Sequence, residues 1–203
     1  KEGSMVALIG ASGSGKTTLA RLIARFFDIT DGLLMIGDVN VRNMTEKTLT
    51  NTISQIFQES YLFQGSIRDN ILMGKPNATE EELQTVLSQA GLNEAIQRLP
   101  NGLDTLVGEG GARLSGGERQ RISIARALIK DAPILLVDEA TAALDAENQA
   151  IIAETLSRLR GSKTLVVIAH QLSTIQMADK IVALDNGRVK EQGTHEELML
   201  NHK

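Results

Sequence analysis

Residues 10–17 read Gly-Ala-Ser-Gly-Ser-Gly-Lys-Thr, a glycine-rich string closing on a lysine and a hydroxyl. A short apolar run, Met5–Ile9, precedes it, and Thr17–Phe27 follows with Leu19, Leu22, Ile23 and Phe26 at helical spacing. Strand, tight loop and helix thus come in immediate succession, which points to a buried parallel strand in a helix-covered sheet. The string matches G-x-x-x-x-G-K-[ST] in full, in the strand-to-helix context that this pattern requires. Glycines let the backbone wrap phosphates with its N–H groups inward, and the helix N-terminus adds partial positive charge. Gly10, Ala11, Ser12, Gly13, Ser14, Gly15, Lys16, Thr17 and Thr18 are therefore the expected nucleotide-binding residues. Lys16 should reach the β- and γ-phosphates of ATP, and the Thr17 hydroxyl should ligate Mg²⁺.

The rest of the chain fits an α/β protein. Gly32–Val41 reads as strand, turn, strand around Gly37-Asp38, and Thr52–Phe57 as a further strand. Ser66–Asp69 and Thr79–Glu82 match capping boxes. After Thr79, Leu83, Val86, Leu87 and Ala90 mark an amphipathic helix that stops at Gly91, and a second short helix covers Asn93–Leu99 before Pro100. Residues 61–131 are expected to form a mostly helical insertion in a core made of 1–60 and 132–203, the whole of 1–203 being one domain. Ile134–Val137 and Thr164–Ala169 read as strands and Ala146–Arg160 as a helix. Lys180–Asp185 and Arg188–Gln192 read as a hairpin turning at Asn186-Gly187. A capping box at Thr194–Glu197 opens a last helix.

Composition narrows the function classes. A net charge of −4 offers no stripe for a nucleic-acid backbone, so no nucleic-acid partner is expected. The absence of cysteine excludes disulfides and thiolate metal sites. No apolar run approaches the ~20 residues needed to span a bilayer, no signal peptide is visible, and the default location is cytosolic. Aromatics are only 2%, so the core must be aliphatic.

Two further strings carry chemistry. Ile134-Leu-Leu-Val-Asp138-Glu139 ends a strand in two acids. Alone, such a pair reads as a solvated strand end. Beside a phosphate loop, Asp138 becomes the residue that holds Mg²⁺ through water, and Glu139 a general base for the attacking water. Leu114-Ser115-Gly116-Gly117-Glu118-Arg119-Gln120-Arg121 opens a helix whose Ile122, Ala125, Leu128 and Ile129 share a face. Its plain reading is a capped helix start with Ser115 as N-cap; its glycines would also admit an anion.

With Leu114–Glu118 in place, the chain resembles the ATP-binding-cassette (ABC) family over essentially its whole length. The resemblance implies an α/β P-loop NTPase core of RecA-like type, with a mainly parallel sheet and an inserted helical subdomain carrying the signature. It also implies that two such domains close head to tail around two ATP molecules, with Ser115, Gly116, Gly117 and Asp145 completing the site of the opposite chain. Gln58 matches the Q-loop glutamine, which touches Mg²⁺ and water; Ala142-Ala-Leu-Asp145 looks like the D-loop; His170 matches the switch histidine near the γ-phosphate. Catalysis would then rest on Glu139, His170, Lys16 and Gln58, and Mg²⁺ on Thr17, Gln58 and Asp138. His195 and His202 lack such context and read as surface residues. Val107–Gly111 resembles the X-loop of exporter-type members, although Glu109 reads equally as a solvated loop acid. Tyr61 and Phe63, in a stretch similar to the groove that receives the coupling helices of a transmembrane domain, read equally as packing residues.

The chain also departs from the family pattern. Members carry an adenine-stacking aromatic before the first strand; here only Lys1–Ser4 precede that strand, so the N-terminal antiparallel part is expected to be truncated. The signature ends in Glu118 where Gln is commoner, and Gln171 stands where Arg is common; both changes are expected to be tolerated. The resemblance implies a domain that powers a membrane transporter from the cytoplasmic face, either cut from a longer polypeptide that also carries the transmembrane partner or encoded as a separate subunit. Two other readings use the same motifs: a soluble ABC ATPase acting on nucleic acid or ribosomes, and a non-hydrolysing ATP-dependent regulator. The acidic balance speaks against the first, and the presence of Glu139 and His170 against the second.

Overall fold

The computed structural model describes residues 1–57, 59–138 and 146–201. The chain divides into two compact units: one of Lys1–Ser54, Ala132–Glu139 and Arg160–Lys203, the other of Gln55–Asp131 and Ala140–Leu159.

In the first unit β1 (Met5–Ile9) runs straight into the glycine loop and α1 (Lys16–Ile23). The helix is shorter than its apolar spacing predicts. Arg25 takes a left-handed φ of 55°, and its Nη1 donates to the carbonyls of Val41 (3.0 Å) and Met44 (2.9 Å). The chain leaves the helical path to make these bonds, so Phe26 and Phe27 end up exposed. The predicted strand, turn, strand shrinks to β2 (Met35–Ile36) and β3 (Val39–Asn40), an antiparallel pair apart from the main sheet. α2 (Glu46–Thr52), unanticipated, is set by its cap: the Thr48 N–H donates to Thr45 Oγ1 at 3.1 Å. It buries no residue, so no apolar periodicity announced it.

The main sheet has the strand order β4-β5-β6-β1-β7-β8, where β4 is Ile53–Ile56, β5 Ile134–Asp138, β6 Thr164–Ile168, β7 Lys180–Asp185 and β8 Arg188–Gly193. β5–β6, β6–β1 and β1–β7 pair in parallel, and β7–β8 is the antiparallel hairpin expected from Asn186-Gly187. The apolar runs of β1, β5 and β6 are what a sheet covered on both faces demands. Met5, Ala7, Leu8, Leu135, Leu136, Leu165 and Val167 are all buried. α1 packs on β5 and β6, and Leu8, Ala20 and Ile168 form a core cluster with Leu19 and Val166 against it. Asp179 ties the opposite end of the sheet. It accepts the Met5 N–H at 2.8 Å and pairs with Arg160; those partners, Arg160 first, hold its carboxyl below the usual range.

The second unit is helical. α3 (Ile67–Leu72) and α4 (Glu80–Gln89) start at the two predicted capping boxes, with both reciprocal bonds present in each. α5 (Asn93–Gln97) is short, and α6 (Gly116–Ile129) follows. α6 packs on α3 and α4, and its Ile122, Ala125, Leu128 and Ile129 are all buried. The approach behind α3 is so close that a Cβ on Gly74 would lie 2.2 Å from the Arg126 carbonyl oxygen. α7 (Ala146–Leu159) is bound to the end of α4 by Thr155 Oγ1, which donates to the Gln89 carbonyl at 2.6 Å. Back in the first unit, α8 (Leu172–Met177) packs on β1, and α9 (His195–Asn201) begins at the predicted Thr194–Glu197 box.

Candidate functional site

The phosphate loop is built from backbone constraints that only its glycines tolerate. A Cβ on Gly10 (φ 147°) would sit 2.2 Å from the Leu184 carbonyl oxygen of neighbouring β7. Gly15 caps α1 in a left-handed conformation (φ 104°) and, having no side chain, offers its first-turn N–H groups no capping acceptor. A glycine-rich helix start whose N-cap supplies no acceptor is the anion-binding arrangement. Lys16 is buried, and its Nζ donates to the carbonyls of Gly10 and Ala11 (both 2.9 Å) and lies 3.4 Å from Ser14 Oγ. The ammonium is thus folded over the loop, at the mouth of the nest. Thr17 is half-buried and Thr18 exposed in the first turn of α1.

Sheet topology gathers further residues at this end. β5, β6 and β1 are consecutive in the sheet and parallel, so their C-terminal ends open on one edge, where open α/β sheets bind ligands. β1 releases the phosphate loop there. β5 ends in Asp138, buried and in register with Ile168 of β6. His170 follows β6 by two residues and is exposed. The loop, Asp138 and His170 are thereby brought to adjacent strand ends. Gln58, Glu139 and Ala142–Asp145 lie outside the described residues, as does His202. His195 opens α9, away from these strand ends in sequence, and is half-buried.

The signature is assembled in the helical unit. Ser115 caps α6, its Oγ accepting the Glu118 N–H at 3.2 Å, while Glu118 Oε2 accepts the Ser115 N–H at 2.8 Å. Ser115 and Gly116 are exposed; Gly117 is buried. The capping box accommodates the departure at position 118, because either Glu or Gln can fill its N3 position. An open cleft of about 470 Å³ lies beside this helix start, lined by Asn93, Glu94, Arg98, Ser115, Glu118 and Arg121 among others.

Tyr61 and Phe63 are both exposed and lie edge to face with their centroids 5.2 Å apart, while Leu62 between them is fully buried. Their own rings are therefore not core packing. Arg126 of α6 holds the pair: Nη2 donates to the Tyr61 carbonyl at 3.0 Å, and the guanidinium carbon lies 5.8 Å from the Phe63 ring centroid. Burial pushes the Arg126 pKa down. Nothing in the sequence marks Arg126, because a helical arginine looks like any solvated one until its neighbours are known. Asn186-Gly187 is more than a hairpin turn: the Gly187 N–H donates to the Ser14 carbonyl of the phosphate loop at 3.0 Å. Glu109 is exposed on a short 3₁₀ turn, as a solvated loop acid would be. Among the described residues, no helix is long and apolar enough to cross a membrane.

Residues 1–142 match the family model described as ABC transporter. The chain is 49% identical over 197 residues to an ATP-dependent lipid A-core flippase of Desulfotalea psychrophila, a match covering 97% of this chain and 34% of that protein. Among solved structures it is similar to a bacterial Atm1-family ABC exporter with ATP bound, with a TM-score of 0.94 and 42% identity over 99% of this chain and 35% of that one. The chain thus spans about a third of the length of these relatives. With a phosphate loop, a strand-end aspartate and a capped Leu114–Glu118 helix start in one chain, it belongs to the ABC transporter family, of which it forms an ATP-binding domain.

Proposed function

We propose that this domain binds and hydrolyses MgATP as one of a pair, and that the closing and opening of the pair drives a transporter whose membrane helices lie on the same polypeptide. The observation that carries this reading is the convergence of the phosphate loop, Asp138 and His170 at the ends of three adjacent parallel strands. The relatives named as a flippase and an exporter support outward transport, at the cytoplasmic face of a membrane. The net charge of −4 speaks against a nucleic-acid partner.

The roles follow from chemistry. Lys16 and the open N–H groups of the loop and α1 neutralise the β- and γ-phosphates. Thr17, Asp138 and Gln58 offer the oxygen donors that Mg²⁺ takes, Asp138 from a buried strand end. The metal would supply neutralisation of the charge that develops on the phosphates. Glu139 polarises the attacking water and His170 orients the γ-phosphate. Ser115, Gly116, Gly117 and Asp145 act on the ATP held by the opposite domain, so residues 61–131 serve as the subdomain that delivers the signature. Positioning and electrostatics then carry the catalysis, and ATP shifts the open–closed equilibrium because it binds the closed pair more tightly.

Phosphate release by the polypeptide that contains the domain tests this. Glu139→Gln should lower turnover roughly 10²–10⁴-fold, the scale of a general base, while ATP binding persists. Turnover equal to that of the parent would remove Glu139 from the mechanism.

A further inference from the structure

We propose that the β7–β8 turn is a strut for the phosphate loop, and that Gly187 sets ATP affinity without touching the nucleotide. The inference rests on the reading of residues 10–17 as an ATP site. β1 and β7 are parallel neighbours, with Ile9 in register with Ala183. The end of β7 therefore runs past the start of the loop, and the Leu184 carbonyl reaches bare backbone at Gly10. At this point the β7–β8 ladder slips register, between Ala183 and Leu184. The hairpin then closes at Asp185–Arg188 through a two-residue turn with Asn186 at φ 49° and Gly187 at φ 73°. Two left-handed residues in this setting make a type I′ turn, which fixes the direction of each N–H in it.

The Gly187 N–H points at the loop and donates to the Ser14 carbonyl at 3.0 Å. A Cβ on Gly15 would come within 3.5 Å of the Gly187 Cα. The Ser14 backbone is thus held on both sides, since its own N–H donates to the Ala11 carbonyl at 3.1 Å. Peptide geometry makes this consequential. In a planar trans peptide the Gly15 N–H points opposite to the Ser14 carbonyl. Anchoring that carbonyl on the turn therefore directs the Gly15 N–H away from the turn and fixes one of the loop's phosphate donors in advance. A hairpin with an Asn-Gly turn needs no such outside contact for its own sake. A Cβ on Gly187 would meet nothing within 4 Å, so the position demands only a left-handed φ and an N–H, and asparagine can supply both.

The test uses amide hydrogen exchange of the nucleotide-free chain together with its affinity for ATP in the presence of Mg²⁺. One glycine inserted after Asn186 moves the donor off the loop; Gly187→Asn keeps it. The insertion should speed exchange across residues 13–16 and weaken ATP binding about fivefold, the scale of one net hydrogen bond. Gly187→Asn should stay within about twofold of the parent on both readouts, a scale smaller than that of the bond itself. Should the insertion fail to fold, Gly187→Ala retains the fold but strains φ, and is expected to move both readouts in the same direction by less. Unchanged loop exchange and affinity in the altered-turn variant would overturn the proposal. So would a Gly187→Asn variant as impaired as the insertion. Faster loop exchange in a chain whose parent binds no ATP would keep the strut and discard the nucleotide reading.

Discussion

Two glycine-rich helix starts in this chain solve the same problem in opposite ways. α1 begins at Gly15, left-handed at φ 104° and without a side-chain cap, and α6 begins at Ser115 with a complete capping box. Every helix start leaves N–H groups without intrahelical partners. At α1 the N-cap closes none of those donors with a side chain, and a buried lysine lies folded over the loop. At α6 Ser115 and Glu118 satisfy two donors from within. The first end is incomplete until an anion arrives; the second is finished and stable beforehand. A finished end can still serve a phosphate, because the Ser115 hydroxyl accepts from Glu118 and keeps its own proton to donate. The difference matches the division proposed above: one terminus holds the nucleotide of its own chain, the other is presented ready-made to a second chain.

Glycine substitution should separate the two ends most sharply. Gly10→Ala places a methyl 2.2 Å from a backbone oxygen at a φ of 147°. Neither β1 nor β7 can yield without moving a sheet strand, and the variant should lose about 2–4 kcal/mol of stability, within the range of overpacking and backbone strain combined. Gly116→Ala meets only the Arg119 Nη2, at 3.8 Å, in the first turn of α6. There the methyl should be neutral or stabilise by up to about 1 kcal/mol through helix propensity. Chemical denaturation of both variants measures the contrast. Equal losses would mean that the two loops are under the same backbone constraint.

This contrast also shows what the sequence could and could not reveal. The loop at 10–17 and the boxes at Ser66, Thr79 and Thr194 were legible because each is local: the donors and acceptors lie within a few residues of each other. The Asn186-Gly187 hairpin was legible for the same reason. The early end of α1 was not, because Arg25 leaves the helix for the carbonyls of Val41 and Met44. α2 and α8 were missed since they bury little or nothing and so carry no apolar period. In the site, Lys16, Asp138 and His170 could be chosen from strand ends and motifs. The contact of Gly187 with Ser14 could not, because it depends on β7 lying next to β1.

Removing the cap attacks the comparison from the other side. Ser115→Ala deletes the acceptor for the Glu118 N–H and leaves that donor to water. The loss should be about 1 kcal/mol, the usual weight of an N-cap, read as a lower denaturation midpoint at unchanged slope. ATP binding by residues 10–17 of the same chain should be untouched, while hydrolysis by the paired domains should fall. If nucleotide affinity fell in the isolated chain, the two helix starts would not be serving different molecules.

The smallest effect is expected at Glu118. Its Oε2 accepts the Ser115 N–H at 2.8 Å, and the carboxylate also lies in the first turn of α6, where negative charge is favourable. Glu118→Gln keeps an acceptor of the same length and reach, so the capping bond persists and only the charge–dipole part is lost. That part is worth about 0.3–1 kcal/mol at low ionic strength and is screened by salt. The variant should therefore trail the parent slightly in dilute buffer and converge with it at high salt. A deficit that survives high salt would mean that glutamine does not hold the capping geometry, and that the glutamate departs from the family pattern for a structural reason and not an electrostatic one.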